Sequence, residues 1–216
     1  MPECATISRE DKRDYLDALI KGDKRECARV VQRQIDAGTT VRTIFIDLFQ
    51  DSLYSVGRLW EQNRISVATE HLATSITLSL FHLIYPQLFS VPRRGRTAIV
   101  ACTSNEYHFI GARMVSDICE LHGWDGHFIG ANTPVADLCS MVSDMNADLL
   151  AISLTLYSHI SSMINIIERV RIVAPDIPII VGGQGLMIGG GDILDGYEGV
   201  IHHRSLHEFE SYLDRS

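Results

Sequence analysis

The feature that constrains this chain most is an abrupt change in hydrophobic periodicity near residue 95. Before it, apolar residues recur at three- and four-residue steps, the pattern of amphipathic helices. Beyond it, short apolar runs alternate with helical stretches, which predicts a parallel sheet with helices on both faces. The segment 91–95, Val-Pro-Arg-Arg-Gly, predicts a linker. We therefore predict a four-helix-bundle cap over residues 1–92 and an α/β domain over residues 93–216.

The first half carries helix-capping residues at regular intervals, with Ser or Asp before a helical pattern and Gly after it. The sequence predicts helices over residues 8–22, 23–38, 41–61 and 66–86. Four helices with short connections favour an up-down bundle.

The second half predicts a flavodoxin-like (Rossmann-like) doubly wound sheet of five parallel strands. The candidate strands cover residues 97–102, 126–130, 149–153, 177–181 and 199–201. Helices are predicted to begin near residues 109, 134 and 159, in the glycine-rich region after 185, and at 206. In such a sheet, ligands bind between the loops that follow the first and third strands.

The loop after the first strand has an unusual polar composition, with Glu106, Tyr107 and His108 followed by Gly111. It lacks the glycine-rich turn of a dinucleotide site. A metal-ligating histidine commonly donates its other ring N–H to a carboxylate, and Glu106 is placed for that role. Gly111 would let the following helix approach a bulky ligand. A single loop histidine, however, is more often a solvated or core residue than a ligand.

Three motifs at strand ends resemble a known family. They are Glu106-x-His108-x-x-Gly111, Ser153-x-Thr155 and Gly182-Gly183. Together they resemble the signature of the cobalamin-binding domain found in methionine synthase, mutases, corrinoid proteins and cobalamin photoreceptors. The resemblance implies that His108 replaces the dimethylbenzimidazole of the cofactor as lower cobalt ligand. It also implies that the displaced nucleotide tail enters a slot formed at the second and third motifs.

The sequence departs from methionine synthase at one position of this site. Where that enzyme has a serine that relays protons to the carboxylate, this chain has His159. The departure weighs against a methyl carrier of that type.

A second group of residues lies in the predicted cap, where Trp60 is followed after nine residues by Glu70-His71. Taken alone, this pattern indicates a buried tryptophan with a local polar pair. The spacing nevertheless resembles that of cobalamin photoreceptors that regulate carotenoid genes, in which the three residues pack around the adenosyl group. In those photoreceptors a histidine follows the tryptophan and captures cobalt after illumination, whereas this chain has Glu61.

Composition restricts the partners and the location that we expect. A formal net charge of −8 and a pI near 5.5 argue against a nucleic-acid partner. The first twenty residues lack a signal-peptide core and no apolar run is long enough to span a membrane, so we expect a cytoplasmic protein. Five scattered cysteines predict neither disulfides nor a zinc site.

The leading hypothesis is a light sensor that binds adenosylcobalamin between cap and α/β domain and has no catalytic activity of its own. Because no helix-turn-helix domain accompanies these residues, we expect output through self-association, a downstream protein or a second chromophore. The second chromophore would be a bilin, an option left open by His122, His127, His202, His203 and His207. The alternatives are a corrinoid protein that carries methyl groups between methyltransferases, and a cobalamin-buffering or sensing module without photochemistry.

Overall fold

A computed structural model of the chain describes residues 6–188, 191–194 and 196–216. The chain divides into two compact units, one ending at Leu88 and the other beginning at Phe89. The described part of the first unit is helical, and the second unit alternates strands with helices.

The first unit is built from amphipathic helices whose ends coincide with the capping residues. Its elements are α1 (Arg9–Lys21), α2 (Lys24–Asp36), α3 (Val41–Thr43), a π-helical segment (Ile44–Gln50), α4 (Asp51–Glu61) and α5 (Val67–Leu88). The Ser8 side chain accepts a hydrogen bond from the Asp11 backbone N–H, and Gly22 ends α1 in the left-handed region with φ 70°. These observations confirm the predicted boundaries of the first helix.

The third predicted helix is continuous over 41–61 but is not uniformly α-helical, which corrects the prediction. Its π-helical turns contain Phe45 and Phe49, both buried. A π-helical turn holds more residues than an α-helical turn, so side chains four positions apart stay on one face. Both rings stack against Phe81 of α5, with centroids 5.1 and 5.6 Å away. Packing of aromatic rings therefore accompanies the change in helix type.

The second unit is an all-parallel five-stranded sheet in the order β2-β1-β3-β4-β5, which confirms the predicted fold class. Its strands are β1 (Thr97–Cys102), β2 (Asp125–Phe128), β3 (Leu149–Ser153), β4 (Ile179–Gly182) and β5 (Val200–His202). Its helices are α6 (Ile110–Leu121), α7 (Val135–Asp144), α8 (Ile160–Val173), α9 (Gln184–Ile188), α10 (Gly191–Leu194) and α11 (Leu206–Arg215), and a 3₁₀ turn (Tyr157–His159) precedes α8. The second, fourth and fifth strands lie one or two residues away from their predicted positions.

Alternate residues of the central strands face two different helical layers. Ile99 and Ile152 pack in a buried cluster with residues of α7 and α8. Val100 and Ala151 pack on the other side with Ala112 of α6. Burial on both faces explains why these strands are almost entirely apolar.

Two further expectations concern the membrane and the cysteines. Among residues 6–188, 191–194 and 196–216, no helix combines the length and hydropathy needed to cross a bilayer. Cys27, Cys102, Cys119 and Cys139 are buried free thiols. Cys4 lies outside the described residues.

Candidate functional site

The loops that follow β1, β2 and β3 meet at the carboxyl edge of the sheet. The Thr103 backbone N–H donates to the Ser153 carbonyl at 3.2 Å, which joins the ends of β1 and β3. Asn105, in the left-handed region, donates from its backbone N–H to the Asn132 side-chain oxygen at 2.8 Å. The Asn132 amide in turn lies 3.3 Å from the hydroxyl of Tyr107, which is exposed. The predicted ligand-binding edge of the sheet, at the loops after β1 and β3, is therefore a connected polar region.

The side chain of Glu106 is the centre of this region and is fully buried. Its Oε1 accepts a hydrogen bond from the His108 backbone N–H at 3.0 Å and lies 2.6 Å from His108 Nδ1. Its Oε2 accepts from the backbone N–H groups of Thr155 and Leu156, both at 3.0 Å. One carboxylate thus holds the histidine and fixes the loop after β1 to the loop after β3.

These hydrogen bonds keep the carboxylate ionised. Burial acts to raise the pKa of Glu106, but hydrogen bonds from the His108 side chain and from the backbones of His108, Leu156 and Thr155 outweigh it and lower the pKa to about 2. An anionic acceptor favours the tautomer in which His108 Nδ1 carries the proton. Nε2 then carries the lone pair that a metal requires. The His108 side chain is 55% exposed, so an external ligand can reach the ring.

Two glycines of the sequence motifs have different structural requirements. Gly183 has φ 113°, and a Cβ atom there would lie 2.2 Å from the Leu154 carbonyl oxygen. Only glycine fits that turn. At Gly111, in the first turn of α6, an added Cβ would meet nothing within 4 Å. Intramolecular packing therefore does not require Gly111, and the open space beside it suits a bulky ligand.

His159 is a contact of Glu106 that the sequence reasoning missed. Its Nδ1 lies 3.4 Å from Glu106 Oε2, although the geometry is not that of a hydrogen bond, and this nitrogen is buried. From the sequence alone, this position indicated only the loss of a relay serine. The structure instead places a second imidazole beside the carboxylate that holds His108.

The remaining second-unit residues of the motifs lie at adjacent strand ends. Ser153 pairs with Gly182 in the register of β3 and β4. Thr155 is partly buried, and its backbone rather than its side chain contacts Glu106. Thr103 Oγ1 is buried and has no hydrogen-bond partner among the described residues.

The three cap residues lie in the first unit. Trp60 is in the last turn of α4 and is 46% exposed, so it is not the buried core residue of the simpler interpretation. His71 Nδ1 lies 2.6 Å from Glu70 Oε2, and Thr74 donates to Glu70 Oε1 at 3.1 Å. The polar pair is thus held at the start of α5, while Trp60 and His71 both have accessible surface.

The described residues contain no cluster of three or more His, Cys, Asp or Glu side chains that could hold a metal ion alone. A single histidine supported by one carboxylate instead suits a metal whose other ligands come from a cofactor. The imidazole, the buried carboxylate and the open space at Gly111 fit a corrinoid in this respect.

Comparison with known proteins identifies the family. Two family models match, both described as B12 binding domain, one over residues 96–206 and the other over residues 12–84. The chain belongs to the B12-binding domain family. It is a cobalamin-binding protein that combines a helical cap with a Rossmann-like domain.

Relatives of this B12-binding protein include a regulator. The HTH-type transcriptional repressor CarA of Myxococcus xanthus is 28% identical over 122 residues, which are 56% of this chain and 42% of the repressor. The matched region is thus well under half the length of that relative.

Solved structures share the fold. The Methanosarcina barkeri monomethylamine corrinoid protein is similar with a TM-score of 0.82 and 13% identity, over 97% of this chain and all of the other. The methanol:cobalamin methyltransferase complex MtaBC from the same organism matches with a TM-score of 0.52 and 14% identity, over 97% of this chain and 80% of the other.

Proposed function

We propose that His108 is the lower axial ligand of cobalamin bound with its own base released from cobalt. The observation that carries this proposal is the 2.6 Å contact between His108 Nδ1 and the buried, ionised Glu106. That contact orients the ring and leaves Nε2 as the ligating atom. We further propose that the nucleotide tail lies near Ser153, Thr155 and Gly182-Gly183, and that Tyr107 and Gly111 contact the corrin.

The test of this ligation is His108→Ala. We expect cobalamin affinity to fall at least about tenfold and any residual complex to show the spectrum of the base-on cofactor. His207→Ala, at an exposed position of α11, is the matched control and should bind as the unchanged protein does. A His108→Ala protein with full affinity and a histidine-ligated spectrum would contradict the assignment.

We also propose that the protein uses adenosylcobalamin to sense light. When bound, the cofactor supplies a cobalt–carbon bond that visible light breaks. Trp60, Glu70 and His71 would contact the adenosyl group, and the exposure of Trp60 and His71 supports this role. The regulatory role in the name of the Myxococcus relative also supports signalling. Output would pass through self-association or a downstream protein.

A second candidate is a methyl carrier of a methyltransferase system. It is favoured by the likeness to the monomethylamine corrinoid protein over nearly the whole chain. The contact of His108 with Glu106 would serve either function equally. The cap residues distinguish the two functions, because a methyl group is too small to need contact with Trp60.

Spectra in the dark and after green light test these two functions. The sensor predicts tighter binding of adenosylcobalamin than of methylcobalamin, and a spectral change under light without oxygen. Trp60→Ala should reduce that preference and leave methylcobalamin affinity unchanged. Equal binding of both forms, with methyl transfer to a thiol acceptor, would establish the methyl carrier instead.

Binding of a bilin as a second chromophore stays a prediction of the sequence. Of the histidines considered for a second chromophore, His122 already bonds to Asp214 at 2.8 Å.

A further inference from the structure

One row of residues crosses the carboxyl end of the sheet at a single level. Cys102 pairs with Ser153, and Ser153 pairs with Gly182. His203 extends the row past β5, because it follows His202, the partner of Val181, and its backbone N–H donates to the Val181 carbonyl at 3.0 Å.

The side chains of this row point to the face covered by α6 and α11. Cys102 packs with Ala112 of α6, and Ser153 has the same orientation as Ala151 two residues earlier. At the other end, the His203 ring contacts Phe209 and Tyr212 of α11, with centroids 6.2 and 5.8 Å away.

The residue between Ser153 and His203 in this row is a glycine, Gly182. A Cβ atom at Gly182 would lie 3.1 Å from the His203 carbonyl oxygen, so a larger residue there would crowd the end of β5. With glycine in place, no side chain separates Ser153 from His203 along the row.

His203 has an unsatisfied polar atom in this setting. Its Nδ1 is buried and has no hydrogen-bond partner among the described residues. Burial lowers the pKa of His203, which favours the neutral ring; a neutral ring has one N–H donor, and an acceptor at Nδ1 would place the proton on that nitrogen. Buried polar atoms in proteins are nearly always paired, and an exception favours a ligand or water at that atom.

We propose that His203 Nδ1 donates a hydrogen bond to an acceptor nitrogen of the aromatic base at the end of the cofactor's nucleotide tail. This inference rests on the proposed mode of cobalamin binding. A base released from cobalt has a nitrogen lone pair that needs a donor, and His203 supplies one at the end of the row. His108 and His203 would then divide two tasks, ligation of cobalt and retention of the displaced base.

Cobinamide, which lacks the nucleotide tail, separates these two tasks. We expect His203→Leu to weaken cobalamin binding about tenfold and cobinamide binding less than about twofold. The change caused by the mutation is compared for each ligand, because cobalamin must also release its own base from cobalt and cobinamide has none. Spectral titration gives both dissociation constants, and circular dichroism checks folding.

Two variants serve as controls. His203→Asn places an amide N–H close to the position of Nδ1 and should restore most of the cobalamin affinity. His202→Leu removes the neighbouring imidazole, which points to the opposite face of the sheet and also has a buried nitrogen without a hydrogen-bond partner in the part of the chain that the structure describes. It should leave the ratio of cobalamin to cobinamide affinity unchanged.

The unchanged protein provides a measurement that does not depend on a variant folding. With ¹⁵N-labelled histidine, the Nδ1 resonance of His203 should shift on binding cobalamin and not on binding cobinamide. Equal effects of His203→Leu on both ligands, or a resonance that cobalamin leaves in place, would overturn the role of His203. Failure of the protein to bind either ligand would instead overturn the proposed function.

Discussion

At the scale of single residues, the sequence predicted the pairing of Glu106 with His108 and not the other contacts of the carboxylate. A carboxylate two positions before a loop histidine can be recognised locally. The backbone donors of Thr155 and Leu156 lie about fifty residues away and reach Glu106 only because β1 and β3 are neighbours. His159 was missed as a contact for the same reason, since its position depends on the turn before α8.

Replacing Glu106 by glutamine tests how much the binding site depends on that carboxylate. The amide has one acceptor atom where the carboxylate has two, so at least one backbone N–H would lose its acceptor. We expect a loss of stability of about 1–3 kcal/mol and a decrease in cobalamin affinity of about 10- to 100-fold. Thermal unfolding and spectral titration measure the two effects.

Asp117→Asn is the matched control for that substitution. Asp117 is also a buried carboxylate and bonds to Arg113 at 3.0 Å within α6. The Asp117→Asn substitution should affect stability without changing cobalamin affinity by more than about twofold. A Glu106→Gln protein with unchanged affinity would show that His108 does not depend on the carboxylate.

Gly111 and Gly183 allow a second comparison, because alanine fits one and not the other. Gly183→Ala should destabilise the protein by about 2 kcal/mol or more, from the positive φ and the close Leu154 carbonyl. Gly111→Ala should stabilise the apoprotein by about 0.5–1 kcal/mol, as alanine does within a helix. We expect it nevertheless to weaken cobalamin binding, and unchanged binding would show that no ligand lies against Gly111.

At the scale of secondary structure elements, the sequence predicted the order and type of the main helices and strands. Capping residues such as Ser8 and Gly22 mark helix ends through local geometry, which explains that accuracy. The π-helical segment at 44–50 was not predicted, because its periodicity differs little from that of an α-helix over two turns. The observed strand ends differ from the predicted ones because hydrogen bonds between neighbouring strands define them. For example, β4 continues to Gly182, opposite Ser153.

The docking of α11 onto α6 should depend on pH through His122. This imidazole lies 3.7 Å from Glu210 and 2.8 Å from Asp214, both in α11. The nearby carboxylate of Glu210 raises the pKa of His122, burial opposes it, and the hydrogen bond to Asp214 adds to the increase. A pKa raised in the folded state means that the stabilisation is complete below the ordinary value of 6.5 and is lost as the pH rises through the higher value.

We therefore expect the fall in unfolding free energy between pH 6.5 and pH 9 to be about 1 kcal/mol larger in the unchanged protein than in the His122→Gln protein. Chemical denaturation at both pH values measures it. Burial also raises the pKa of the buried thiols, and that of Asp117 to about 6, but these groups contribute equally to the pH dependence of both proteins. Equal slopes for the two proteins would contradict a role for His122.

At the scale of the whole molecule, the chain has two compact units and a net charge of −8. That charge makes direct binding of these residues to a polyanion unfavourable. The absence of a nucleic-acid partner stays a prediction from composition. The sequence could not predict the output partner, because surface complementarity has no local sequence pattern.

A change in association under light is the expected behaviour of a self-associating sensor. With adenosylcobalamin bound, we expect the molar mass from light scattering to differ between dark and green-illuminated samples. The His108→Ala protein should show no difference under the same illumination. An identical mass in both states would remove self-association and leave a downstream protein as the output.

The buried carboxylate of Glu106 also has a kinetic consequence. Because the carboxylate fixes the imidazole and joins two loops within the folded apoprotein, we expect the site to need little rearrangement before it binds cobalamin. Cobalamin in solution is mostly in the form whose own base occupies cobalt, and in the proposed binding mode only the fraction that has released its base can bind through His108. The observed association rate should therefore scale with that competent fraction of the free cofactor, and cobinamide should be captured faster at equal concentration.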